Sequence, residues 1–442
     1  MQTLRKYIKG DRIIWMVVLI LLVISLLAVY SSTGSLAYRN QAGNTFFYFF
    51  RQFKLILLGL LIIFVSHLIP YRFYMRMSIV ALSAAVVLLA LTLLVGTNIN
   101  EATRWLEVRG TGLTIQPSDF AKIGLMMYIA KILSVNQEEA KSKKQAFGKI
   151  SLAIMAVCGL ILPANLSTAM IVFTTAFSMM FVGRIPVKFL ALMIFALVFG
   201  LGVFVGASLL LKKDGRIQTW INRIESYWEG GGNSYQADQA KVAIVQGGLF
   251  GKGPGNSTQR NLLPHPYSDF IYAIIIEEYG SLVGGVLVLF LYLWLFFRGG
   301  LIIRRSRSTY GAFLAFGLSL GLVLQAFVNM AVAVGLVPVT GQTLPLVSMG
   351  GSSIFFTCMS VGIILSISWG TRVEAGDPAG VSGVSAGGAR ASTADSAGDS
   401  AVGSKKTARK ARATSDEQRA EDALRGVRRT MEKLDKEREA ND

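Results

Sequence analysis

Asp269 is the residue whose type and setting point most directly to chemistry. It opens the run Ser268-Asp-Phe-Ile-Tyr-Ala-Ile-Ile-Ile-Glu-Glu-Tyr-Gly280, between a long polar, glycine-rich stretch and a long apolar segment. A carboxylate drawn toward hydrocarbon costs about 3 kcal/mol, so an acid at the mouth of a membrane helix marks a functional site. Its chemistry would be proton transfer to or from a bound reactant. Glu277 and Glu278, two turns farther along the same run, are expected to lie deeper and to pair within a bundle.

Three polar islands accompany this acid. Arg104-Trp-Leu and Gln116-Pro-Ser-Asp-Phe-Ala-Lys122 form the first. Asp119 and Lys122 are three apart, so on a helix they share a face and neutralise each other. Asp119 reads as the structural half of that ion pair, whereas Lys122 is equally suited to meet a phosphate. Pro117 suits a helix start, whose free N–H groups favour anions. The second island is the glycine loop Gly247-Gly-Leu-Phe-Gly-Lys-Gly-Pro-Gly255, with Lys252 and Arg260 as cations. Its spacing refuses an ATP phosphate loop, because Gln246 occupies the first glycine position and Gly253 the Ser/Thr position. What remains is either a loop that lets backbone approach a ligand or a set of tight turns. The third island, Gly335 to Ser353, concentrates Gly, Pro and Ser, which means broken backbone lining a cavity or buried in protein.

His67 reads as an interface residue, and His265, four before Asp269, as a loop histidine facing water or tuning that acid. No Cys/His/carboxylate cluster has metal-ligand spacing. Cys158 and Cys358 lie far apart in apolar segments and read as packing residues.

The elements that must position these groups are membrane helices. The chain has 442 residues, 52% hydrophobic and only 16% charged, which excludes an ordinary soluble protein. The net charge of +18 gathers in short loops between apolar runs, so it speaks for membrane orientation and against nucleic acid. Apolar stretches predict about ten spans, near 13–31, 53–69, 77–96, 116–134, 148–164, 166–183, 187–211, 268–297, 310–335 and 344–369. The expected fold class is therefore an all-α polytopic membrane protein. The first span follows Arg5, Lys6, Lys9 and Arg12 and reads as a retained signal anchor. Basic residues at 5–12, 72–76, 141–149, 184–188 and 298–307 put both termini in the cytoplasm and the large 212–267 loop, between the seventh and eighth helices, outside.

Within that loop Ile217, Trp220, Ile221, Ile224, Tyr227 and Trp228 recur at helical spacing, as expected of a helix lying on the membrane or capping the bundle. Gly230 to Gly232 should act as a joint before a second helix over 235–246. Three domains are expected: residues 1–12 as a cytoplasmic start, 13–370 as the membrane domain, and 371–442 as a disordered basic cytoplasmic tail. Within the tail, residues 415–438 have the spacing of a short helix.

Taken together, Arg104-Trp-Leu, Gln116 to Lys122, Tyr235-Gln236 through Gly253, Ser268-Asp-Phe-Ile-Tyr with Glu277-Glu-Tyr-Gly280, and Leu344-Pro-Leu-Val-Ser-Met-Gly-Gly-Ser-Ser353 resemble the SEDS family (shape, elongation, division and sporulation). These motifs run in order over most of residues 10–370. Gly255-Asn-Ser257 and the charged tail are closer to the division branch. The resemblance implies a ten-helix peptidoglycan glycosyltransferase that polymerises lipid II at the outer face of the cytoplasmic membrane, at the division septum. It implies Asp269 as the catalytic acid-base group, with Arg104, Lys122, Lys252, Arg260, Gln236, Ser352 and Ser353 around substrate and diphosphate. A divalent cation, Mg or Mn, is a further candidate for stabilising the leaving group. The implied partners are a class B penicillin-binding protein transpeptidase and other membrane proteins of the division machinery.

The sequence departs from the family at His265-Pro266, where an acid is usual after Leu263-Pro264. It departs again at Ala164-Asn165-Leu-Ser-Thr168, which replaces a Pro-Asp-x-Gly-Thr pattern, and at Asp119, where Glu is commoner. Competing expectations are a lipid II flippase, an elongation-type polymerase, and a scaffold that only recruits other proteins.

Overall fold

A computed structural model of the chain describes residues 10–40, 44–95, 97–99, 102–108, 113–136, 140–211, 220–221, 223, 225, 227–228, 235–263 and 266–374. The expectations for residues 1–9, the Gly230–Gly232 joint, His265 and the 375–442 tail fall outside these residues.

Apolar runs, capped by short polar residues or started by proline, become the helices. Helix α1, Arg12–Ser32, begins where the Asp11 carboxylate accepts from Ile13 N at 2.9 Å. After the short α2, Gly34–Asn40, comes α3, Thr45–Leu68, which starts earlier than expected because its aromatic run is helical too. Helix α4 is Tyr71–Val95 and α5 is Pro117–Val135, with Pro117 at its start. Helices α6, Ala140–Ile161, and α7, Leu166–Val182, are separated around Pro163 as expected, and the Asn165 side chain caps α7 by accepting from Thr168 N at 3.2 Å. Helix α8 is Val187–Leu211, and α9, Tyr235–Gly247, matches the expected loop helix. Residues Trp220, Ile221, Arg223, Glu225, Tyr227 and Trp228 are helical. Arg223 and Tyr227 donate to the carbonyls of Val339 and Leu336, so this helix leans on the third polar island.

Among the described residues, seven helical stretches are long and apolar enough to cross a membrane, and two further apolar helices are shorter. The chain is a polytopic membrane protein, mostly helical. One expectation needs correcting, since the fold is not all-α. Strands β1, Thr97–Ile99, β2, Ala102–Val108, and β3, Leu113–Ile115, form an antiparallel sheet in that order, with Leu106 paired to Ile115. Strands of three to seven residues between two spans leave little periodic signal.

The larger correction concerns the expected span at 268–297. Helix α10, Ile271–Gly280, ends at a glycine with φ 81°, and the chain reverses there. The π-helical segment Ser281–Val286 and helix α11, Leu287–Arg305, then run back alongside it. Tyr272 donates to the Gly285 carbonyl at 3.1 Å. In one continuous helix those residues would be roughly 20 Å apart. The two ends of α1 orient the hairpin: Arg298 pairs with Asp11 at one end, and Ser31 bonds Glu278 at the other. The Gly280 turn therefore lies at the Ser31 end, and Asp269 lies about 15 Å of helix farther into the bundle. Glu277 and Glu278 are nearer the Ser31 end of α1 than Asp269, the reverse of the expected order.

Helices α12, Thr309–Ala333, and α13, Gly351–Glu374, complete the bundle. Residues 336–350 between them are non-helical, so the tenth expected span begins only at Gly351.

A Cβ at Gly280 would lie 2.2 Å from the Leu249 carbonyl oxygen, on a backbone that L side chains rarely adopt. Gly280→Ala should therefore destabilise the purified protein by about 2 kcal/mol or more, visible as a lower melting temperature. Gly300→Ala, on α11 with open space at its Cβ, should leave the melt unchanged.

Candidate functional site

Two stretches of broken backbone meet at Asp269. Its half-buried carboxylate accepts from Ser268 Oγ at 2.8 Å, and its carbonyl accepts from Asn329 Nδ2 at 2.8 Å. The same Asn329 nitrogen donates to the Gln342 carbonyl at 2.7 Å. Ser348 ties the stretches together again, donating to the Ser268 carbonyl at 2.6 Å and accepting from Leu344 N at 2.8 Å. Met349 N donates to the Tyr267 carbonyl at 2.9 Å, and Tyr292 of α11 donates to the Pro345 carbonyl. Leu346, buried at the centre of this turn, has φ 66°, a strained conformation for a leucine. Non-helical backbone inside a membrane bundle must find such partners. Here side chains from α11, α12 and the turn itself supply them.

One turn before Asn329 on α12, Gln325 donates to the Thr343 carbonyl at 3.0 Å and accepts from Lys122 Nζ at 2.8 Å. Lys122 also forms the expected ion pair with Asp119, at 2.7 Å. Asp119 and Lys122 line a cavity of about 50 Å³ between α5, α7, α12 and α13. Asp119 Oδ2 has no hydrogen-bond partner there. Mostly apolar apart from groups such as Asp119, Lys122 and Gln325, the cavity has room for water but is too small for a sugar. The first and third islands are thus joined to Asp269 through Gln325, Thr343, Gln342 and Asn329, without direct contact between Lys122 and the acid.

The glycine loop takes the second of its two expected forms, a set of tight turns, packed here against the hairpin. Lys252 N and Gly253 N donate to the Glu277 and Glu278 carbonyls at 2.9 Å each, and Ser281 N donates to Gly248 at 2.8 Å. The Lys252 ammonium pairs with Glu277 Oε1 at 2.8 Å, and the Glu277 side chain is fully buried. Ser257 and Thr258 complete the shell around that carboxylate. Arg260 donates to Ser31, which itself holds Glu278. Lys252 and Arg260, expected beside the substrate, are engaged in fastening the loop to the Gly280 end of the α10 hairpin. The two glutamates pair within the bundle as expected.

The remaining candidates fall around this frame. The backbone of Arg104 belongs to β2. Ser352 is buried and accepts from Gln116 N at 2.9 Å, which anchors α13 to the start of α5, and Ser353 is buried beside it. Gln236 stands on the first turn of α9, partly exposed. His67 is buried against Trp15 with ring centroids 5.5 Å apart. Cys158 and Cys358 are buried free thiols. Gln325 and Asn329 were not singled out in the sequence, although two amides four apart in an apolar span are a readable signal. Arg51 and Tyr48 of α3, within electrostatic reach of Tyr267, were also missed. Among the described residues no group of three His, Cys, Asp or Glu side chains converges, so these side chains do not build a metal site by themselves.

Comparison with known proteins places this geometry. Residues 11–373 match the family model FtsW/RodA/SpoVE, described as cell cycle protein. Stage V sporulation protein E of Bacillus subtilis is 34% identical over 371 residues, covering 82% of this chain and 98% of that protein. A probable peptidoglycan glycosyltransferase FtsW of Coxiella burnetii is 31% identical over 370 residues, covering 81% and 96%. Among solved structures, a chain of a peptidoglycan synthase complex that coordinates polymerization and crosslinking superposes with a TM-score of 0.62 at 26% identity, covering 82% of this chain and 98% of that one. The rod shape determining protein RodA of Thermus thermophilus gives a TM-score of 0.59 at 26% identity, covering 81% and 96%.

The Lys252 and Glu277 pair lends itself to a double-mutant cycle. Lys252→Met alone should cost about 3 kcal/mol of stability by stranding a buried carboxylate, and Lys252→Met with Glu277→Gln should recover most of that loss in the same thermal melt.

Proposed function

The chain belongs to the FtsW/RodA/SpoVE family of cell cycle proteins, and on that premise we propose that it polymerises lipid II at the outer face of the cytoplasmic membrane, with Asp269 as the base. It is a peptidoglycan glycosyltransferase. The observation that carries the proposal is the placement of one carboxylate at a hydrogen-bonded break in the bundle, beside a strained turn.

In the reaction, a carboxylate oxygen of Asp269 takes the proton from the acceptor sugar hydroxyl. The acceptor hydroxyl oxygen, losing that proton, bonds to the donor anomeric carbon as the bond from this carbon to the undecaprenyl diphosphate oxygen breaks and the diphosphate leaves with the electron pair. The leaving diphosphate needs cations. Arg104 and Arg51 are the candidates for that part; Lys122 could join them only by leaving its bonds to Asp119 and Gln325, and Lys252 and Arg260 keep the hairpin in position. Gln236, Ser352 and Ser353 belong to the surrounding frame. A divalent cation bound here would draw oxygens from the substrate's diphosphate, since the described side chains offer no cluster for it.

Ten spans with both termini in the cytoplasm are consistent with α1, α3 to α8, the returning arm of the hairpin, α12 and α13. Basic residues at Arg72, Arg76, Arg184, Lys188, Arg304, Arg305 and Arg307 support that orientation. Septal synthesis with a transpeptidase partner is supported by the FtsW relatives and by the complex to which the fold is similar, and the tail is assigned a recruiting role. Broken, re-entrant segments are also how transporters are built, which keeps a flippase as the second reading.

Purified protein with its transpeptidase partner should polymerise lipid II, and Asp269→Asn should lower the rate by at least 100-fold with little change in the melt. An undiminished rate would remove Asp269 as base. Translocation of labelled lipid II in liposomes by Asp269→Asn, with no polymer from the wild type, would favour the flippase. Truncation after Gly370 should leave polymerisation in vitro intact.

A further inference from the structure

The Asp119 and Lys122 pair leaves hydrogen-bonding capacity unused inside the bundle. The Asp119 side chain is 6% exposed, its Oδ1 holds the Lys122 ammonium at 2.7 Å, and its Oδ2 has no hydrogen-bond partner. A lysine ammonium carries three N–H donors. Asp119 Oδ1 and Gln325 Oε1 engage two of them, which leaves one on an ammonium that lines the same cavity. Thr175 and Ser360 belong to that lining too, and their hydroxyls donate to the Ile171 and Phe356 carbonyls at 2.8 and 2.9 Å. Their oxygen lone pairs remain able to accept. An ion pair taken out of water stabilises a fold only when its remaining lone pairs and protons are satisfied as well.

We propose that this cavity is a water site, in which bound water accepts from Lys122 Nζ and donates to Asp119 Oδ2 and to the Thr175 and Ser360 hydroxyls. Its volume of about 50 Å³ is several times the roughly 10 to 15 Å³ that one water needs, and its polar groups are the partners that hold a water in place. The chemistry selects water over an ion. A cation would sit beside the Lys122 ammonium and an anion beside the Asp119 carboxylate, each against a like charge. An apolar guest would leave Asp119 Oδ2 stranded. With water as its third partner, Lys122 is a fully bonded member of the frame between α5 and α12. That third bond adds to what must break before Lys122 can meet a diphosphate.

The test uses the full chain in detergent and reads bound water directly. A short X-ray pulse converts bound water to hydroxyl radical, which oxidises the nearest side chains, and mass spectrometry of the digest locates the added oxygen. Met126 lines the cavity and Met180 does not, although both are buried. Met126 should be labelled roughly tenfold faster than Met180. Asp119→Leu with Lys122→Met, similar in size but apolar, should abolish that difference. Equal protection of the two methionines in the wild type, or labelling of Met126 that survives in the apolar pair, overturns the site. If the apolar pair does not fold, Gly321→Ala carries the comparison. Gly321 lines the cavity, and a Cβ there would meet Thr175 at 3.6 Å, an ordinary contact. In a dry void that methyl would gain packing contacts and raise the melting temperature. Displacing water instead strands Asp119 Oδ2, so Gly321→Ala should lower the melting temperature by about 2 °C and weaken the labelling of Met126. An unchanged or raised melting temperature overturns the site. Neither readout uses lipid II, so failure here leaves the polymerase reading untouched.

Discussion

Backbone hydrogen bonding away from water is the constraint on which this structure depends. A membrane bundle satisfies its backbone by being helical, and every break must be repaired by other groups. Asn329 makes the central repair, with one amide nitrogen donating both to the Asp269 carbonyl and to that of Gln342. Two non-helical stretches from distant parts of the chain are thereby held against each other. Ser348 and Tyr292 add independent ties to the same place. Asp269 is fixed through its backbone carbonyl, and its carboxylate accepts from Ser268 Oγ.

The hairpin that carries Asp269 is held at both ends by different chemistry. At the inner end amides and hydroxyls bind carbonyls, and at the outer end Glu277 and Glu278 grip the glycine loop and α1. Close backbone contact makes the outer end intolerant of side chains at Gly280 and Gly251, whose Cβ atoms would meet carbonyl oxygens at 2.2 Å. A displacement of the glycine loop would therefore be transmitted to α10 and Asp269.

Much of this was legible in the sequence, for definite reasons. Helix positions followed from apolar length, the α6 and α7 boundary from Pro163, and the Asp119 and Lys122 pair from helical spacing. The broken segment before α13 followed from its Gly, Pro and Ser content. The hairpin did not, because Tyr279-Gly280-Ser281 sits in an apolar run that reads as one span. Its reversal depends on contact with Leu249 and Phe250, far away in sequence. The Lys252 and Glu277 pair is invisible in the sequence for the same reason, since only that fold brings the two residues together. The small sheet escaped because its strands are too short for alternation to register.

The hairpin itself is open to direct measurement. Ile276 and Gly285 are in contact across it, with a Cβ on Gly285 3.4 Å from the Ile276 side chain, whereas a continuous helix would separate them by roughly 14 Å. Ile276→Cys with Gly285→Cys, in a Cys158→Ser and Cys358→Ser background, should form an intramolecular disulfide on oxidation in membranes, detected by mass spectrometry of the digest. Persistently free thiols in protein that still polymerises lipid II would contradict the hairpin, and with it the placement of Asp269 within the bundle.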